Sequence, residues 1–240
     1  MYGLTLLGIR QPWRDSYYAY LWQPPKNWYI CALKIANMII EEIKSILAHE
    51  AQAVQNIPVS DSFEKARDVI YQQVHQKGGK LVTTGMGKAG QIAVNMATTF
   101  SSTGTPAAFL HPSEAQHGDL GMVQANDVML MISNSGKTRE IIELIDLARG
   151  LHANIPIIVI TSNEASVLAE EADVCLLTGN PKEVCSLGLT PTTSTTTMTV
   201  IGDVLVVLLM KKIGFSNADY AKRHHGGYLG HKSRTAAGLK

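Results

Sequence analysis

The sequence predicts an α/β fold: a three-layer αβα sandwich around a five-stranded parallel sheet. Three observations predict it. Short apolar runs recur, and the best of them, residues 155–160, is nearly continuous and β-branched. Stretches of helical spacing separate these runs, the pattern of strands covered on both faces. The chain has 240 residues and is 45% hydrophobic, enough to fill one core.

The elements follow in order. Between residues 36 and 54, Ile39, Ile43, Ile46, Leu47 and Val54 recur at helical spacing among Glu41, Glu42, Lys44 and Glu50, and Pro58 closes the segment. Ser60 or Asp61 is placed to cap a second helix through Phe63, Ala66, Val69, Ile70 and Val74, with Gly78-Gly79 as its stop. Strands are expected over residues 80–84, 106–110, 127–132, 155–160 and 173–177. Helices are expected over 89–102, 137–150 and 192–213.

Composition narrows the function. Charged residues make up 17% and the formal net charge is +1, so neither a nucleic-acid surface nor an acidic tail is indicated. Cys31, Cys175 and Cys185 are odd in number and lack metal-ligand spacing, which points to reduced thiols and a cytoplasmic setting. No apolar run reaches the roughly 18 residues of a membrane span, and the N-terminus lacks the pattern of a secretion signal. Residues 1–30 differ from the rest: they hold all 3 tryptophans and 5 of the 8 tyrosines, with Pro12, Pro24 and Pro25. Residues 1–36 are read as a non-native extension before a start near Met38, or as an aromatic partner-binding arm. The domain proper is expected over 37–232, with a tail over 233–240.

In a parallel sheet, ligands bind beyond the carboxyl ends of the strands. The turn after the first strand, Gly85-Met86-Gly87-Lys88-Ala89-Gly90, permits close backbone approach to a ligand. As a lone GxGxxG with no acidic residue ending the next strand, it is a weak dinucleotide signal; Lys88 is either a surface lysine or a cation facing substrate. The turn after the third strand, Ser133-Asn134-Ser135-Gly136-Lys137-Thr138, sets hydroxyls, an amide and a glycine before a helix start. Unpaired N–H groups and the helix dipole favour an anion there, so this turn is expected to hold phosphate. Thr193, Ser194 and Thr195 open the long helix as a second phosphate or sugar-hydroxyl surface, or as plain caps. Glu140, Glu183 and His224 are candidates for proton work, each with a structural alternative. The segment holding His111, Glu114, His117 and Asp119 can cap a helix, line the site or bind a metal; no metal and no cofactor are expected.

With these residues in place the chain resembles the sugar isomerase (SIS) family, and within it the arabinose-5-phosphate isomerases. The matching elements run in order: the turn 85–90, the segments 99–106 and 111–122, Ser133-Asn134-Ser135-Gly136, the segment 182–192 and the end segment 224–230. The resemblance implies an SIS, flavodoxin-like fold. It also implies interconversion of D-ribulose 5-phosphate and D-arabinose 5-phosphate, a precursor of Kdo for lipopolysaccharide or capsule. It assigns catalysis to Lys88, Glu140, Glu183 and His224. It assigns substrate contacts to Gly87, Ser133, Asn134, Ser135, Thr138, Thr193, Ser194 and Thr195. A homotetramer is implied, with CMP-Kdo as a conceivable feedback ligand. Three features depart from the family: Lys137 for the usual Glu, His225 for the usual Pro, and a chain that stops at Lys240 where most members continue into paired CBS domains. Burial around the bound sugar is expected to bring the basic glutamate near neutral pKa. Isomerisation of another sugar phosphate, or a non-catalytic sugar-phosphate sensor, is the alternative.

Overall fold

The computed structural model describes residues 28–239. The chain divides into two units, Met1–Ala48 and His49–Lys240, and the boundary falls within helix α1 (Trp28–Gln55). The aromatic arm over residues 1–27 lies outside the described residues. Residues 28–36, read above as extension, form the first turns of α1. The helix runs past its visible period because its stretch contains no proline or glycine, and an established helix extends readily through other residues. In the first unit Met38, Ile39, Ile43 and Leu47 are exposed.

The second unit is built on five parallel strands: β1 (Leu81–Gly85), β2 (Ala107–Phe109), β3 (Val128–Ile132), β4 (Ile157–Thr161) and β5 (Val174–Leu177). Their order is β2-β1-β3-β4-β5. Every residue of β1, β3 and β4 is buried, as a sheet covered on both faces requires. Successive side chains point to opposite faces. Leu130, Ile132, Ile158 and Ile160 therefore join a core with α2 (Ser62–Ile70), α3 (Gly87–Ser102) and α7 (Thr193–Lys212). Met129, Met131, Ile157 and Val159 join a second core with α5 (Arg139–Leu151) and with α4 (Pro112–Ala115) and α6 (Val167–Glu170). Each such aliphatic side chain contributes about 1.5–3 kcal/mol on burial.

Four details differ from the sequence expectation. Asp61 precedes α2 without a capping bond; its carboxylate pairs with Lys65 instead. The second helix does not stay α-helical to Val74 but widens into a π-helical turn over Tyr71–Gln76. Helices α8 (Asn217–Arg223) and α9 (Gly227–Ala236), which the sequence reading had not listed, follow α7, and α9 runs to residue 236. Helix α7 has the length and apolarity to cross a membrane, which no sequence run had indicated, because its threonines and Gly202-Asp203 break the run. One face of it is core: Met198, Ile201, Leu205 and Leu209 are buried in the first core, while Val204 and Val207 are exposed.

The lower end of the sheet is tied by Asp127, which is fully buried. Its carboxylate accepts the Lys80 and Gln124 amide hydrogens, each at 2.8 Å, and the Lys80 ammonium. One side chain thus fixes the entry of β1 against the entry of β3. Removing it strands two amides and a half-buried cation. We predict that Asp127→Ala lowers stability by about 3–5 kcal/mol in urea unfolding. Aspartate-free variants as stable as the parent would show that the tie is dispensable.

Candidate active site

The chain leaves β1 toward β2 and leaves β3 toward β4, so strand order reverses between the adjacent strands β1 and β3. Gly85 stands opposite Ile132 at the carboxyl ends of that pair. The two strand-to-helix turns therefore diverge around a crevice, the place where open parallel sheets bind ligands. A cleft of about 790 Å³ opens there. Its walls come from the β1–α3 turn (Met86, Lys88), the β3–α5 loop (Ser133, Asn134, Ser135, Thr138), the β5–α7 loop (Lys182 to Pro191) and the start of α7 (Ser194, Thr195). Helix α3 packs hard on β1: a Cβ on Gly90 would lie 2.7 Å from the Gly85 carbonyl oxygen. Only glycine lets the helix start this close to the strand end.

The β3–α5 loop is held from beneath, which leaves its upper groups free. The Asn134 carbonyl accepts the Ser162 amide at 2.9 Å and the Ser162 hydroxyl at 2.7 Å. Gly136 has φ +64°, and a Cβ there would lie 2.1 Å from Ser166 Oγ, so the turn admits no other residue without displacement. Ser133 and Thr138 share a hydroxyl–hydroxyl bond of 2.7 Å. The amides of Asn134, Ser135 and Thr138 find no acceptor among the described residues. Asn134 Oδ1 is buried without a partner. Donors converge at the N-terminus of a 13-residue helix, the arrangement that receives an anion.

Glu183 lines the same cleft. Its Oε2 accepts the Thr192 amide at 2.7 Å, the Thr192 hydroxyl at 2.9 Å and the Ser194 amide at 3.3 Å. Helix α7 has no acidic residue in its first turn, and Glu183 serves its orphan N–H groups from nine residues away. Burial pushes the carboxyl pKa up, but hydrogen bonds from Ser194 and Thr192 outweigh it and hold Glu183 below the ordinary carboxylate range. Hydrogen bonds rather than burial thus decide the direction at this position. The sign follows from linkage: a depressed pKa contributes stability above the unfolded value of about 4.3, lost as pH falls through the folded value.

The remaining sequence candidates separate. Lys88, in the first turn of α3, is exposed and lines the cleft with Glu183. Gly87 opens the same helix. Ser194 and Thr195 line the cleft, whereas Thr193 is fully buried behind it and donates to Glu50, because it faces α1. Glu140 lies in the first turn of α5, outside the cleft wall. His224 follows α8, stacked on Tyr220 with ring centroids 3.8 Å apart, and also lies outside. His111 precedes α4, Glu114 lies in it, His117 lies in the turn after it and Asp119 opens a short 3-10 helix; none lines the cleft. Among the described residues no three potential metal ligands gather. Sequence reasoning did not single out Cys185, Leu187 or Leu189 as cleft residues; they were visible only as part of the segment 182–192.

The SIS domain profile matches residues 74–208. Arabinose 5-phosphate isomerase KdsD of Francisella tularensis is 48% identical over 174 residues, which cover 72% of this chain and 52% of that protein. KdsD of Escherichia coli K12 is 53% identical over 154 residues, covering 64% of this chain and 46% of that protein. The chain spans about half the length of the curated relatives it matches. A solved candidate phosphosugar isomerase involved in capsule formation, from Bacteroides fragilis, is 65% identical with a TM-score of 0.78, covering 79% of this chain and 99% of that one. A protein of E. coli CFT073 in complex with arabinose 5-phosphate is 36% identical with a TM-score of 0.71, covering 78% of this chain and 98% of that one.

Cys185 gives the cleft a chemical handle. The Thr190 amide, 3.2 Å from its sulfur, and the Leu189 and Leu187 amides lower its pKa to about 7. Burial, then Glu164, raise that of Cys175. We predict that iodoacetamide alkylates Cys185 with a midpoint near pH 7, as thiolate forms above it, while Cys175 stays unmodified. Peptide mass spectrometry across pH 5.5–9 reads this out, and a Cys185 midpoint in the usual range of about 8.5 would contradict it.

Proposed function

The chain belongs to the SIS-domain family, and on that premise we propose that it is an aldose–ketose isomerase interconverting D-ribulose 5-phosphate and D-arabinose 5-phosphate. The observation that carries the reading is the cleft at the strand-order reversal. It sets a cation, Lys88, and a carboxylate, Glu183, over a loop of anion-seeking amides. The sugar phosphate held by the E. coli CFT073 relative supports the substrate, and the KdsD relatives support the reaction. We extend the reading to Kdo supply for lipopolysaccharide or capsule, in the cytoplasm.

The chemistry moves one proton between C1 and C2. From the aldose, a base removes the C2 proton; the electrons form the C1–C2 double bond of an enediolate as negative charge develops on O1. Transfer of the O2 proton to O1 and return of the abstracted proton to C1 yield the ketose. Glu183 has one oxygen fastened by three donors, and the other, Oε1, accepts no hydrogen bond among the described residues and is the proposed proton carrier. A carboxylate held below the ordinary range is ionised at neutral pH, the state a base needs. Lys88 supplies positive charge for the enediolate oxygen. The β3–α5 loop fixes the phosphate, so that the reacting carbons are presented at one distance; such positioning is worth up to roughly 7–11 kcal/mol. Lys137, on the same loop, adds a charge that bears on sugar preference.

Glu140 and His224 enter this reading through the family resemblance alone. His224 lies outside the cleft of its own chain, and we place it at the site of a neighbouring copy in a homotetramer, where a neutral imidazole assists ring opening. CMP-Kdo is the proposed feedback ligand.

Glu183→Gln is expected to abolish deuterium entry at C2 from heavy water, followed by NMR with ribulose 5-phosphate, and to leave inorganic phosphate binding intact. Full exchange in that variant would remove Glu183 from the chemistry. Ser135→Leu is expected to raise KM about tenfold or more, since it sets a bulky chain over the free amides; an unchanged KM would mean that the phosphate lies elsewhere.

A further inference from the structure

The last turns of α1, from His49 onward, hold the β5–α7 loop at several points. The His49 Nε2–H donates to the Lys182 carbonyl at 2.8 Å, one residue before Glu183. Glu50 Oε1 accepts the Thr193 hydroxyl at 2.8 Å, at the first residue of α7. Farther back, Gly179 lies so close to the end of α1 that a Cβ on it would be 2.8 Å from the Asn56 carbonyl oxygen. Two consecutive helical residues thus grip both ends of the segment that carries Glu183.

Glu50 is an unexpected residue for a structural tie. Its second oxygen, Oε2, is buried and without a hydrogen-bond partner among the described residues. Burying a carboxylate oxygen unpaired is costly, and such groups in native proteins call for a reason. The bond that Glu50 does make leads straight to the site. Thr193 is fully buried, and its neighbours Thr192 and Ser194 supply the donors that fasten Glu183 Oε2. The path therefore runs from Glu50 to the Thr193 hydroxyl, to the flanking amides, and to the Glu183 carboxylate. The loop between β5 and α7 has no strand or helix of its own to fix that carboxylate.

We propose that Glu50 is a positioning residue that sets Glu183 for proton transfer by fixing the first residue of α7, with His49 holding the other end of the loop. The proposal rests on the isomerase reading for what Glu183 does once placed, while the placement itself is independent of it. A displaced base near its reacting atom costs on the order of 10²-fold in rate. Glu50→Ala and Thr193→Val are each expected to lower kcat roughly 10- to 100-fold with KM within about twofold, because the phosphate loop is untouched. Thr193→Ser and Glu50→Gln, which keep the hydroxyl donor and the acceptor oxygen, are expected to retain most of the rate. The Glu50→Ala/Thr193→Val double variant is expected to be no worse than either single one, the mark of one shared interaction.

Hydrogen exchange on the full chain gives a readout free of activity. The Thr192 and Ser194 amides are expected to exchange about tenfold or more faster in Glu50→Ala, with the sheet amides unchanged. Unchanged exchange and kcat in Glu50→Ala, or losses that add in the double variant, would overturn the proposal. If Glu50→Ala fails to fold, the contrast between Thr193→Val and Thr193→Ser decides it. If the parent protein shows no isomerase activity, the functional reading falls, and the exchange pattern alone decides whether Glu50 holds the loop.

Discussion

Where β1 pairs with β3, Gly85 faces Ile132, and the chain departs from the two strands in opposite directions. That pairing is the constraint from which the site follows. Two helices start side by side, α3 and α5, each with unpaired N–H groups at its first turn. Between them a crevice is unavoidable, because neither connection can cross over it. The glycines at 85 and 90 bring α3 down onto its strand, and the glycine at 136 folds the second turn against Ser166. The buried Asp127 secures the same two strands at their other ends.

The electrostatics of the cleft come from fixed donors more than from charged side chains. The formal net charge is close to zero, and among the described residues that line the cleft only Lys88 and Lys182 are cationic. Amide and hydroxyl groups on the β3–α5 loop offer hydrogen bonds at fixed positions without the solvation cost of extra cations. Across the cleft a second helix start, that of α7, is occupied by the chain's own carboxylate, Glu183. One helix end is therefore open to an external anion and the other already holds an internal one. The same donors that stabilise α7 favour the ionised form of Glu183, so a capping contact and the charge of the carboxylate are one arrangement.

Much of the fold was legible in the sequence. All five strands and helices α3, α5 and α7 lie within a few residues of their expected bounds, because apolar period and turn residues are local signals. The helical start at Trp28 was not legible, since the aromatic stretch shows no helical period. The π-helical turn at Tyr71–Gln76 left no pattern to read. The Ser133 to Thr138 turn was legible as a cluster of hydroxyl and amide donors for the same local reason: its donors and the helix they precede are adjacent in sequence.

What the sequence by itself determined, then, is the layer architecture, the turns at the strand ends and the family resemblance. Only the tertiary structure decided which candidates share a cleft. It brought Lys88 and Glu183 to one cleft, moved Thr193 behind the wall, and left Glu140 and His224 outside the cleft of their own chain. It also gave Glu50 a role that its place on a charged helix face had concealed. The His49–Lys182 and Glu50–Thr193 bonds join residues 133 and 143 positions apart. Period and propensity describe neighbours along the chain; contacts at such separations exist only once the sheet has brought the last turns of α1 and the start of α7 together.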